Sequence, residues 1–206
     1  SREFLGNTFM FSLLVIVIFN FTFTITNENS HLLASGILWI AFIFSGTIGL
    51  SRSFLVEREN DCIYGLTLTP IDRTALYWGK FLGNLIMLTT IEAMIIPLFI
   101  VLYNLNVMEH FILMPLILIL GNIGFMAVGT LVSALSVNLK AREILMPVLL
   151  LPLLIPLVIW AAGATSALIG INNMEKYYSY LNFVVAFDVI FFVASSMLFE
   201  YIMDES

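Results

Sequence analysis

The sequence predicts an all-α, polytopic membrane protein with six transmembrane helices. To these it adds a cytoplasmic amphipathic helix between the second and third spans, and a short re-entrant or outer-leaflet element between the fifth and sixth. Three observations predict this. Hydrophobic residues make up 61% of the 206 and charged residues only 11%, with a mean hydropathy of +1.04, whereas a soluble domain carries roughly 25% charged residues. Six runs are almost free of charge and close to the ~20 residues that a crossing needs. The basic residues, finally, fall between these runs in a strongly lopsided way.

The runs place spans at about 4–27, 32–53, 76–104, 111–137, 144–162 and 178–202, all within one transmembrane domain covering 1–206. Six crossings put both termini on one side. That side receives Arg2, Arg52, Arg58, Arg73, Lys80, Lys140 and Arg142, and the other receives only Lys176. Lysine and arginine are retained on the cytoplasmic side, so both termini and the loops around 52–80 and 137–143 are expected there. The chain begins at Ser1 rather than Met, which suggests that a short native segment precedes it. No small-residue cleavage site follows the first apolar run, which therefore reads as a span rather than a signal peptide.

Taken in order, the first span is rich in Phe and Thr and ends in the polar cluster Asn27–Ser30. The second carries Ser35, Gly36, Ser45, Gly46 and Gly49, and the fourth Gly121, Gly124 and Gly129. Small residues of this kind let membrane helices approach closely, so packing is their expected role. Pro147, Pro152 and Pro156 interrupt the backbone donors of the fifth span and predict a kinked or irregular helix. After Trp160 the stretch AAGATSALIGINN is too short and too weakly apolar for another crossing, hence the expected re-entrant element.

Charge concentrates in Leu55–Asn84. On helical spacing Leu55, Cys62, Ile63 and Leu66 share one face, opposite Glu57, Arg58, Asn60, Asp61 and Tyr64. A helix over about 55–66 would lie flat on the membrane surface, and Gly65 with Thr67–Pro70 stops it. Thr69, Pro70, Ile71 and Asp72 then form a helix start: a Thr cap, Pro in the first turn, and an acid three residues after the cap. The new helix carries Arg73, Tyr77, Trp78 and Lys80 through the headgroup level, where aromatic rings and snorkelling cations belong.

This stretch resembles a known family. Glu57-Arg58-Glu59, then Gly65-Leu66-Thr67-Leu68-Thr69-Pro70-Ile71-Asp72-Arg73, then Gly79-Lys80, is similar to the first cytoplasmic loop of ABC-2-type exporter permeases. The likeness is greatest to the B subunit of the haem exporter of cytochrome c maturation. Arg2-Glu3, Ile18-Phe19-Asn20-Phe21 and Ala141-Arg142-Glu143 extend it over most of the chain. The resemblance implies a loop helix coupled to a separate ABC ATP-binding subunit, with Glu57, Arg58, Glu59, Asp61, Tyr64, Gly65, Thr69, Pro70, Asp72 and Arg73 as coupling residues. It implies ATP on that partner and haem as a cargo of the complex, or release of a haem-loaded chaperone without haem crossing this chain. It also implies a second permease half, either another copy or a haem-handling membrane subunit. A permease for lipid-linked glycans or drugs, and a channel or scaffold not coupled to ATP, are the rival readings. The amphipathic helix that the family carries before its first span is nearly absent here.

Glu92 and Asp188 lie within the third and sixth spans, where a carboxylate costs about 2.5–3.5 kcal/mol on insertion scales. No Lys or Arg shares their depth, so protonation or bonds to Asn84, Asn122 or Ser133 are expected, at a translocation path or in a structural role. His31 and His110 fall at outer ends of spans; haem ligation is conceivable, but interfacial histidines are ordinary. Cys62 is the only cysteine, which excludes an intrachain disulfide or thiolate cluster. No GxxxxGK[ST], HExxH or GxSxG sequence occurs, so the chain is expected to be a transport subunit and not an enzyme, with no metal and no firmly bound cofactor of its own. No basic patch suits nucleic acid, and the lipid bilayer is the expected surrounding.

Overall fold

The computed structural model describes residues 2–22, 30–59, 73–105, 112–136, 142–171 and 173–204. All regular structure among these residues is helical, in six helices: α1 (Arg2–Thr22), α2 (Ser30–Glu59), α3 (Arg73–Leu102), α4 (Leu113–Ser136), α5 (Arg142–Ser166) and α6 (Met174–Asp204). Five contain stretches long and apolar enough to cross a bilayer: His31–Ser51, Tyr77–Leu102, Leu113–Ser133, Leu145–Gly170 and Met174–Leu198. In α1 the apolar stretch is the shorter Gly6–Thr22.

Burial sorts these helices into two layers. About 67% of the α2 stretch and 72% of the α4 stretch is buried inside the chain, against 22–28% for those of α3, α5 and α6. The last three bury one face each and turn Ile86, Met94, Val148, Ile159, Val189 and Ile190 outward, as helices facing lipid do. Helix α4 packs against α2, α3, α5 and α6, and α2 packs against α1, α3, α4 and α5. Glycines permit this density. A Cβ on Gly46 of α2 would lie 2.6 Å from the Phe125 ring, and one on Gly121 of α4 would enter the Trp39 indole. Close packing, the expected role of the small residues, holds at Gly46, Gly121, Gly124 and Gly129 but not at Gly36, which faces open space.

Two expectations change. No breaker separates Ser51 from Glu59, so α2 continues unbroken through Leu55 to Glu59, and no new helix starts at Leu55. Residues 60–72, with the rest of the expected 55–66 helix, lie outside the described residues. Likewise, α5 does not end at 162. It runs to Ser166 and passes straight into a π-helical turn, Ala167–Ile171, so the described residues contain no separate re-entrant hairpin.

The physical reason is that Ala161 and Ala164 are good helix formers and are fully buried. Thr165 also bonds back to the Ala161 carbonyl at 2.9 Å and accepts the Trp39 indole N–H at 3.0 Å. Small size bought tight packing rather than a change of direction. The three prolines lie inside α5, away from its buried face of Met146, Leu150, Leu154, Leu157, Ala161 and Ala164. Asn173 then caps α6, its side-chain oxygen accepting the Lys176 N–H at 3.0 Å.

Candidate functional site

The buried face of α3 reads Tyr77, Phe81, Asn84, Leu88, Ile91, Ile95 and Phe99, in steps of three and four. Glu92 falls on this face and is only 2% exposed. The Asn122 amide of α4 donates to Glu92 Oε2 and also lies 3.5 Å from Thr89 Oγ1. Glu92 Oε1 has no hydrogen-bond partner. Of the three partners expected from sequence, Asn122 alone engages a carboxyl. The Asn84 amide nitrogen is unpartnered, and Ser133 donates to Met146 Sδ at 3.7 Å.

Asp188 of α6 is 5% exposed, and neither carboxyl oxygen has a hydrogen-bond partner. Its Oδ1 occupies the space that a Cβ on Gly124 would take, with Leu157 of α5 and Phe187 3.2 Å from the same point. Asn122 and Gly124 are about 200° apart around α4 and about 3 Å apart along it. The two carboxyls therefore flank α4 on opposite sides at one level. Glu92 is held by one neutral donor, Asp188 by none. The pair Asn122→Ala and Glu92→Gln tests the first contact. Asn122→Ala orphans the whole buried carboxyl and should destabilise the purified protein by about 1–3 kcal/mol. Glu92→Gln keeps an acceptor for Asn122 and should cost less; thermal melts that rank the two in the opposite order would refute the assignment.

A cavity of about 10 Å³ lies beside Asn122, walled by Trp39, Phe42, Leu88, Phe125 and Leu157. It is the size of one water and has no room for a macrocycle, whose pockets run to several hundred Å³. His31, in the first turn of α2, packs its ring onto Gly170 in the π-helical turn, a structural contact. Among the described residues no three His, Cys, Asp or Glu side chains are grouped to hold a metal. His110 lies outside the described residues.

The coupling residues divide. Glu57, Arg58 and Glu59 form the end of α2 and Arg73 begins α3, while Asp61, Tyr64, Gly65, Thr69, Pro70 and Asp72 lie outside the described residues. The start of α3 differs from expectation. Tyr77 is turned inward rather than outward: it is fully buried, and its hydroxyl donates to the Ala127 carbonyl of α4 at 3.4 Å. Its ring stacks on Phe81 at 6.1 Å. Trp78 meets Phe192 of α6 at 4.5 Å, and Phe81 meets the same ring at 5.7 Å. Trp78 and Phe81 thus share one aromatic partner across the helix boundary, Phe192, while Tyr77 reaches across it through its hydroxyl. Phe192 escaped the sequence reading, since nothing marks one Phe among many on a uniformly apolar helix.

At the other end α1 is fastened to α3. Asn20 donates to the Leu102 carbonyl at 3.1 Å and Tyr103 to the Ile16 carbonyl at 3.3 Å. Tyr177 of α6 reaches the Leu113 carbonyl of α4 at 3.0 Å.

A family model described as CcmB protein matches residues 1–200. The chain belongs to the CcmB family. Among CcmB relatives, heme exporter protein B of Rhodobacter capsulatus is 31% identical over 157 residues, covering 76% of this chain and 72% of that protein. Heme exporter protein B of Pseudomonas aeruginosa is 27% identical over 163 residues, or 79% and 73% of the two chains. That of Haemophilus influenzae is 29% identical over 173 residues, or 81% and 74%. The likeness to the haem-exporter B subunit, read from the 57–80 segment and from the shorter phrases around 2–3, 18–21 and 141–143, thus holds over residues 1–200.

Proposed function

We propose that this protein is the multi-pass permease subunit of an ABC transporter of the bacterial inner membrane. It would serve cytochrome c biogenesis by coupling a partner's ATP hydrolysis to haem export or to release of a haem-loaded chaperone. The family match over residues 1–200 carries the reading. In it all six helices cross the membrane, with both termini and the 52–80 and 137–143 loops in the cytoplasm, as the seven-to-one split of basic residues favours.

The work on this reading is mechanical. The ATP-binding subunit docks on the segment from Glu57 through Tyr64 and Gly65, with the 137–143 loop as a second contact. Closure of the ATPase moves this segment, and Thr69, Pro70, Asp72 and Arg73 pass the displacement into α3. Helix α3 suits such a lever because Tyr77, Trp78 and Phe81 clamp its first turns to α4 and α6. A push there moves three helices together rather than bending one. A second permease half, another copy or a haem-handling membrane subunit, completes the pathway.

The test is purification from the native membrane under mild detergent. An ATP-binding-cassette subunit should accompany the protein at fixed stoichiometry, together with a haem-binding membrane partner. Recovery of the protein without any nucleotide-binding subunit would favour a scaffold or channel. An ATPase without a haem-binding partner would point to another cargo.

A further inference from the structure

We infer that the seam between α5 and α6, at the end where α5 gives way to α6, binds one anionic phospholipid by its phosphate. The inference uses the geometry of these two helices and does not rest on the transport reading.

The register of the two helices assembles the site. Trp160 of α5 stacks on Phe183 of α6, with centroids 5.2 Å apart and planes 20° from parallel. Three residues further along α5, the Tyr180 ring fills the space that a Cβ on Gly163 would take, its Cζ 2.9 Å from that point. Lys176 shares this side of α6, because steps of four to Tyr180 and seven to Phe183 return to one helix face. It is the only Lys or Arg of α6, and it is exposed. Glu175, also exposed, is turned about 100° round the helix from it.

Polarity along the seam therefore runs in one order. The Lys176 ammonium comes first, then the half-buried rings of Tyr180 and Trp160, then the exposed Phe183. Beyond these lie Leu153 of α5 and Ile190 of α6, aliphatic and exposed. A phospholipid has the same order: phosphate, glycerol esters, acyl chains. From Lys176 to Phe183 the helix rises about 10 Å, against roughly 5–8 Å for the headgroup layer on one side of a bilayer. The flexible lysine stem spans the difference.

Each group then has a task. The three N–H donors of Lys176 meet phosphate oxygens in charge-assisted bonds. The Tyr180 hydroxyl donates to an ester carbonyl, and the stacked rings flank the first acyl methylenes. A net-negative headgroup is preferred, because a zwitterionic one brings its own cation up to Lys176. A docking helix from another protein would call for no such gradient from charge to hydrocarbon.

An ordinary aromatic belt also holds Lys, Tyr and Trp, but scattered at one level and indifferent to the headgroup. Here the rings are fixed. Trp160 and Phe183 hold each other across two helices, and Tyr180 lies on a glycine whose replacement would displace it. A pre-organised site loses less freedom on binding and so selects more sharply.

The test uses the whole protein, purified alone and placed in lipid nanodiscs. Bromine on phospholipid acyl chains quenches a nearby indole, and the share of quenching lost in Trp160→Phe reports this seam. Brominated phosphatidylglycerol should occupy it about fivefold more readily than brominated phosphatidylcholine, the ratio expected for one lysine near the surface. Lys176→Gln should bring that ratio close to one, and Lys176→Arg should keep it. Native mass spectrometry from mild detergent should show one phosphatidylglycerol retained per chain, and its loss in Lys176→Gln.

Equal quenching by the two lipids would overturn the inference, leaving a non-selective aromatic belt. Selectivity that survives Lys176→Gln would overturn it as well, because the headgroup would then be held elsewhere. So would quenching by neither lipid, since a second protein chain would then cover the seam. Lys176 is exposed, so its replacement leaves the packing of α5 on α6 intact and the comparison is made on folded protein.

Discussion

Under the proposed function, the double reversal Glu57→Lys, Glu59→Lys is expected to abolish association with an ATP-binding subunit. Both positions lie in the last turns of α2, which carries on past Ser51 as an unbroken helix. A continuous helix gives the backbone at these positions one conformation rather than many. Reversal replaces attraction with repulsion at two positions of the last turn, and like-charge contacts across an interface cost several kcal/mol. A loss of at least about a hundredfold in affinity follows, or about 2.7 kcal/mol. Neutral glutamines at both sites should fall in between, and the parental association should weaken with added salt. The measurement is co-purification of the ATPase at graded ionic strength. Undiminished recovery with the reversed pair would remove these residues from the interface. Because Asp61 and Tyr64 follow on the same segment, retention by the glutamine variant alone would shift the weight of the contact towards them.

Substitution of Gly121 by valine should be the most damaging single change in the membrane region. The Cβ of any residue here would enter the Trp39 ring. Trp39 cannot swing clear: it is 2% exposed and its indole N–H is bonded to Thr165 on α5. The clash therefore forces α2 and α4, the two inner helices, apart. Overpacking of a filled core costs about 1–3 kcal/mol and occasionally more. For a chain of this size that lowers the melting midpoint by about 2–12 °C. Trimming the indole in the double variant Gly121→Val, Trp39→Leu should recover much of the loss, because the two side chains then share one space. An unshifted midpoint for the single variant, or no recovery in the double, would show that this contact does not set the spacing of α2 and α4.

These two experiments probe features of different legibility. The charged segment could be read directly, since Glu57, Arg58, Glu59 and Asp61 stand out from apolar runs on either side. Which glycine meets which side chain could not. Gly121, Gly124 and Gly129 look alike in sequence, yet Gly121 receives an indole, Gly124 a carboxyl and Gly129 the Leu50 side chain. Trp78 and Tyr77 show the same limit. Their position between charge and apolar span suggests the headgroup level, but whether an interfacial ring faces lipid or a neighbouring helix depends on what that neighbour offers. Phe192 is one turn from Asp188 on α6, and no feature of the linear chain announces it as the partner of Trp78. The stretch after Trp160 was misread for a related reason. Small residues weaken the apolar signal of a span, but they also let a helix continue inside a crowded bundle, as Ala161, Ala164 and Thr165 do.

The apolar runs, the charge asymmetry and the polar segment at 55–84 were determined by the chain itself. Each depends on the free energy of moving a residue between water and hydrocarbon, a property that residues carry wherever they sit. Pairings across helices were decided only by the tertiary structure: Asn122 with Glu92, Gly124 with Asp188, and Trp78 with Phe192. Inside a bilayer the hydrophobic effect no longer distinguishes one apolar face from another, so such pairings rest on shape and a few hydrogen bonds. These become definite only when two helices share a boundary.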